Sequence, residues 1–248
     1  QGLQTQAMKS RAWSGFVILV LLCATLHCQP RYSGKDQPSA VDGVLDLREW
    51  DFEADGPTLL RGQWEFYWRE LRIPPDFAAK TNAYINVPSN WLDASVTGDA
   101  ELSGQGYATY RLTVLLPRSL PEGRLAMRVP DQGTSHRFFA GSTLIAQDGV
   151  VAARPEDTRP SLRTNVIDLP PETLQLREDH TRLGLTGHVG NYVHRKGGLW
   201  FNLTLGREAD IEAARRRAIY LDIFLAGTLF IMGFYHLAFF ALRTREPS

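Results

Sequence analysis

The chain has 248 residues, 44% of them hydrophobic, and its 27 basic and 27 acidic side chains cancel. That length holds one sizeable globular domain plus membrane segments, and the balanced charge lacks the basic face that nucleic-acid binding needs. Both cysteines, Cys23 and Cys28, lie in an N-terminal apolar stretch, which excludes a disulfide framework or a thiolate metal site from the rest of the chain.

Gln1 is not an initiator, so residues 1–7 read as upstream read-through or a fragment edge, with Met8 as a sensible start. Lys9 and Arg11 form a positive n-region, and residues 16–26 (FVILVLLCATL) an h-region of signal length. Residues 1–28 are therefore expected to be a signal peptide or a signal anchor. Small residues are missing around Cys28 where lipoprotein processing wants them, so its lipidation is the lesser alternative. Either outcome exports the chain beyond residue 28. Residues 29–43 are polar, broken by Pro and Gly, and read as a linker.

Residues 44–206 carry the marks of an all-β domain, with short alternating runs separated by Gly, Pro, Asp and Asn. Residues 60–68 alternate Leu60, Gly62, Trp64, Phe66 and Trp68 with polar neighbours, a period-two strand with one aromatic face. Further strands are expected at 84–87, 107–116, 124–129, 136–140, 143–146, 165–169, 182–186 and 200–205, with Gly141 and Ser142 turning a hairpin. Many short strands at this spacing predict a sandwich or jelly roll.

After Gly206 the pattern changes. Residues 207–217 (READIEAARRR) are good helix formers and are expected to run on into 218–242, 25 residues whose clearly polar members are Asp222, Thr228 and His236. At the helical rise that run spans roughly 37 Å, enough for a bilayer core of about 30 Å. Asp222, Ala226, Leu229, Gly233, His236 and Phe240 fall on one side of the helix, which collects both ionisable residues and two small ones. Such a side suits packing against further helices, with Asp222, Ala226, Gly233 and His236 in contact; the alternative is that Asp222 and His236 only reach the membrane interfaces. Residues 243–248 fit a truncated cytoplasmic start. Arg215, Arg216 and Arg217 before the span would by the positive-inside rule put the β-domain in the cytoplasm. The N-terminal export segment argues for residues 29–217 outside, and that placement is preferred.

Enzyme motifs and metal-ligand spacings are missing, so neither catalysis nor a cofactor is expected. Residues 191–200 (NYVHRKGGLW) are rich in hydrogen-bond donors and aromatics, and Asn90, Trp91 and residues 107–111 add more. Sugar sites stack an apolar sugar face on an aromatic ring and bind hydroxyls with planar polar groups. Trp91, Tyr107, Arg111, Asn191, His194, Arg195, Lys196 and Trp200 are the candidate ligand residues on that ground. The competing reading makes the tryptophans core and the cations a rim.

Residues 45–52 (LDLREWDF), 60–68 (LRGQWEFYW), 87–91 (VPSNW), 106–112 (GYATYRL) and 194–200 (HRKGGLW), in that order, resemble the ectodomain of bacterial seven-transmembrane receptors with diverse intracellular signalling modules. Residues 231–237 (IMGFYHL) resemble that family's first membrane helix. The resemblance implies a galactose-binding-like jelly roll outside the bacterial inner membrane, then seven helices and a cytoplasmic cyclase, histidine kinase or phosphatase. The β-domain also resembles the non-catalytic sugar-binding domain at the front of some β-galactosidases, with residues 106–111 as the matching strand. The chain departs from the receptor pattern at Gly141 and Ser142, where Asn-Gly is common, and in carrying one helix of seven. The expectation is a periplasmic sensor for a carbohydrate or other small molecule, in contact with lipid and further helices. The alternatives are a membrane-anchored carbohydrate-binding or adhesion module, or the accessory domain of a glycoside hydrolase.

Overall fold

The computed structural model of the protein describes residues 35–74, 83–94, 96 and 102–243. The expected signal segment, the first part of the linker and the residues after Arg243 lie outside the described residues. The described residues fall into two compact units that divide between Ile211 and Glu212.

The first unit is built of sheets. Its eight-stranded sheet runs β4 (Tyr84–Val87), β3 (Gly62–Trp68), β6 (Gly106–Leu116), β12 (Thr181–Asn191), β8 (Ser135–Ala140), β9 (Thr143–Asp148). Two short strands join it, β1 (Val44–Asp46) parallel to β6 and β11 (Leu174–Leu176) antiparallel to β12. A four-stranded sheet runs β10 (Asn165–Asp168), β7 (Leu125–Val129), β14 (Leu203–Arg207), β2 (Thr58–Leu60). A two-residue ladder pairs β13 (Gly198–Leu199) with β5 (Ser89–Asn90).

Alternation decides which face of each strand is inside. On β6, Ala108, Tyr110, Leu112, Val114 and Leu116 are buried, and Leu183, Leu185 and Val189 of β12 join them. Trp64, Phe66 and Phe138 extend that inner face along β3 and β8. The smaller sheet answers with Leu60, Met127, Val129, Leu203 and Leu205, all in the same hydrophobic cluster. The unit is therefore a mostly-β, sandwich-like arrangement with its core between two sheets.

Three local expectations are corrected. The run 60–68 breaks at Arg61, because the preceding segment crosses there: Ala40 N–H donates to Arg61 C=O at 2.8 Å, and Gln63 N–H to Ala40 C=O at 2.9 Å. Gly62, at φ +102°, leaves room for the Ala40 backbone where a Cβ would stand. Residues 37–43 are accordingly part of the folded unit rather than linker, with Ala40 2% exposed and Gln37 Oε1 accepting from the Thr58 hydroxyl at 3.0 Å. The strand expected at 200–205 starts only at Leu203, since Trp200 turns over Gly133, where a Cβ would lie 2.1 Å from its ring.

β14 passes directly into helix α1 (Glu208–Arg243). Glu208 and Asp210 lie in its first turn, where acidic groups complement the helix dipole, and Arg207 Nε donates to Asp210 at 2.7 Å. From Glu208 to Leu242 the helix is long and apolar enough to cross a membrane. Ile211 in its first turns is buried, but among the described residues from Ile219 onward most apolar side chains are exposed, Phe230 and Ile231 by 75% and 70%.

Candidate functional site

The donor-rich loop and the Asn90-Trp91 region come together, but much of what they contribute is packing. Trp91 is 1% exposed, and its indole N–H donates to the Tyr110 hydroxyl at 2.6 Å. Its ring covers Gly197, where a Cβ would lie 2.3 Å away, and Gly198 at φ +137° lets β13 close on the backbone of Ser89 and Asn90. The paired glycines of the motif are thus required by the contact between two chain segments. Asn191 is fully buried, with its amide nitrogen donating to Gly104 C=O at 2.6 Å and His194 C=O at 2.7 Å. Its oxygen accepts from His194 N–H at 3.0 Å and the Thr134 hydroxyl at 3.3 Å. Neither Trp91 nor Asn191 has a face open to a ligand.

The outer residues of this loop differ. Lys196 Nζ pairs with Asp93 at 2.5 Å, and that ammonium, with the Asn90 amide, holds the Asp93 carboxyl below the usual range. His194 is exposed and meets the half-buried Trp200 edge-on at 4.9 Å. Arg195 is exposed, and among the described residues it makes no side-chain hydrogen bond or ion pair.

Tyr107 and Arg111 stand elsewhere, on the outer face of the eight-stranded sheet. Across that face Glu65, Arg111, Thr186 and Phe139 sit opposite one another in register, as do Tyr67, Thr109, His188 and Arg137. Residues 69–74 fold back over it. The Thr109 hydroxyl donates to Glu70 C=O at 2.7 Å, and His188 Nε2–H donates to Arg72 C=O at 2.5 Å. His188 Nδ1 then accepts from Arg137 Nε at 2.8 Å, so the ring is neutral; burial, foremost, lowers its pKa. Arg111 Nη1 and the Tyr67 hydroxyl both reach Glu65 Oε2, at 3.1 and 3.0 Å. Burial together with that carboxylate pushes the Tyr67 phenol up to about 12.

Beside this ladder lies a cavity of about 240 Å³ between β6, β12, β11 and the β8–β9 turn. Arg111, Arg182, Gly184, Thr186, Gln175 and Gly141 line it. Sequence reasoning singled out Arg111 but missed Arg182, Thr186 and Gln175. The alternation of Arg182, Gly184 and Thr186 with Leu183 and Leu185 was visible, yet only the cross-strand register brings Arg111 to the same place.

Asp222, Ala226, Gly233 and His236 are all exposed on α1. The Thr228 hydroxyl is satisfied within the helix, donating to Phe224 C=O at 2.8 Å. Among the described residues no group of three His, Cys, Asp or Glu side chains is placed to hold a metal ion.

No protein-family model matches the chain, and no curated protein matches it. Solved structures do. A beta-glucuronidase from an uncultured Clostridium sp. is 17% identical at a TM-score of 0.43, covering 61% of this chain and 29% of its own. A putative beta-galactosidase from Bacteroides fragilis is 14% identical at 0.40, covering 60% and 22%. A GH2 beta-galacturonidase from Eisenbergiella tayi bound to glycerol is 10% identical at 0.38, covering 61% and 24%. These neighbours are glycoside hydrolases rather than receptors, and the chain spans less than a third of the length of each.

Proposed function

We propose that this chain is the small-molecule-binding, extracytoplasmic portion of a membrane receptor, held in the bacterial inner membrane by α1. On this reading the sandwich is a galactose-binding-like jelly roll, residues 29–217 lie in the periplasm, and α1 is the first of several helices of a longer signalling protein. The carrying observation is the direct passage from β14 into a helix of 36 residues whose long apolar stretch is exposed among the described residues. Such a surface is stable in lipid and costly in water. The β unit supports the binding half of the reading with a polar cavity on a rigid sheet face and a loop that carries exposed His194 and Arg195, with His194 against half-buried Trp200.

The second reading is a non-catalytic accessory domain of a glycoside hydrolase. It agrees with the β-rich arrangement and leaves the apolar helix without a role. Membrane fractionation separates the two. The receptor reading expects the chain to stay with the membrane in alkaline carbonate, and a periplasm-active reporter fused after Leu60 to be active. Release into the supernatant supports the accessory-domain reading, and a cytoplasmic Leu60 reporter removes the sensor reading.

A further inference from the structure

Building on the reading of the β unit as a small-molecule-binding module, we infer that the cavity on its outer sheet face takes a small hydroxylated monocarboxylate, of the sugar-acid or hydroxy-acid class, with Arg182 as the group that selects its charge.

Arg111 reaches the Glu65 carboxylate at 3.1 Å, so that pair is close to neutral. Arg182 is half-buried, and among the described residues its guanidinium makes no ion pair or side-chain hydrogen bond. Among the described residues the other lining groups are uncharged, so Arg182 is the charge in excess there. A monoanion neutralises it, whereas a dianion such as hydrogen phosphate brings an uncompensated charge into a restricted space. The planar guanidinium fork matches a carboxylate bidentately.

The neutral groups argue for hydroxyls. Thr186 is 3% exposed, and its hydroxyl makes no hydrogen bond among the described residues. Gln175 lies opposite Arg182 in register, and its Oε1 accepts from Arg177 at 3.0 Å while its amide N–H groups are left to donate. A donor-acceptor hydroxyl and a donating amide are what polyol oxygens need.

Arg182, Gly184 and Thr186 alternate along β12, so their roots stand about 7 Å apart on one face, and Arg111 faces Thr186 from β6. Arg182 and Arg111 therefore stand at opposite ends of this run, with Gly184 as the floor between them. A Cβ built at Gly184 meets no atom within 4 Å, although glycine weakens a strand interior. Close approach of a bound molecule accounts for that open floor. The volume, about 240 Å³, lies below that of sites for drug-sized ligands and suits a single small ring or short chain.

The test is titration calorimetry on the full chain in lipid nanodiscs, with D-glucuronate, D-glucose and inorganic phosphate as probes. Glucuronate and glucose share a ring and differ at the terminal carboxylate. Glucuronate is expected to bind, with glucose and phosphate weaker by about tenfold or more, the scale of one charged hydrogen-bonded contact. Arg182→Gln should remove that preference, and Gly184→Val, whose Cβ has no atom within 4 Å, should abolish binding at an unchanged melting temperature. The inference is overturned if glucuronate gives no heat, if phosphate binds more tightly, or if Arg182→Gln binds glucuronate as the parent does. Equal binding of glucose and glucuronate, lost in Gly184→Val, overturns the carboxylate assignment alone and leaves the binding module standing. Failure of the membrane reading is seen independently, in the carbonate and reporter experiments.

Discussion

Asn191 and Trp91 show how a residue that looks like a ligand contact can be a fold contact. A planar amide with four hydrogen bonds inside the protein has nothing left to offer a sugar, and an indole between Gly197 and Tyr110 has no open face. The aromatic and glycine positions of the two motifs were plain in the sequence. What they do depended on residues about a hundred positions apart meeting, which composition does not reveal. Trp91→Ala should cost about 3–5 kcal/mol of unfolding free energy through the cavity it leaves. Gly197→Ala should cost about 1–3 kcal/mol by forcing the Trp91 ring aside. Arg195→Ala, at an exposed position, should fall within about 0.5 kcal/mol of the parent. Urea titration of the detergent-solubilised chain, followed by tryptophan fluorescence, checks all three; a tolerated Trp91→Ala would contradict its assignment to the core.

At the scale of elements, two of the three glycines of β12 have opposite roles. A Cβ at Gly187 would lie 2.4 Å from the Phe138 ring, while one at Gly184 meets nothing. Gly187→Ala should therefore destabilise by about 1–3 kcal/mol. Gly184→Ala should be neutral or stabilising by up to about 1 kcal/mol, since it also restrains the unfolded chain. Denaturant midpoints of the two variants decide this, and equal losses would refute the asymmetry. For α1 the prediction concerns its sides. If the face bearing Asp222 and His236 meets further helices, cysteine at Gly233 should resist a lipid-phase thiol reagent while cysteine at Phe234 reacts. Equal labelling in native membranes would leave α1 as a lone anchor.

For the β unit as a whole, acid should be the weak side. His136 is fully buried beside Phe138, and neither ring nitrogen has a hydrogen-bond partner among the described residues. Burial, only partly opposed by Asp148 and Asp131, lowers its pKa from 6.5 to about 4. Well above pH 6.5 the ring is neutral both folded and unfolded, and its contribution to stability is constant. As the pH falls from 6.5 towards 4 the unfolded chain takes up a proton that the folded chain refuses, so stability drops by on the order of 3 kcal/mol and then levels off. His188, shifted in the same direction, adds to the slope. His136→Leu should flatten most of it in unfolding titrations between pH 7.5 and 4.5, and an unchanged slope would show that other groups carry the acid response.

The sequence by itself determined the β-rich class, the position of most strands and the long apolar helix. Period-two alternation and the length of an apolar run are local properties, written in neighbouring residues. The tertiary structure alone decided that Trp91 and Asn191 are buried, that residues 37–43 belong to the sandwich, and that Arg111 and Arg182 line one cavity. Those outcomes rest on cross-strand register: Arg111 and Thr186, 75 positions apart, share a cavity wall because β6 and β12 pair antiparallel with that offset and no other.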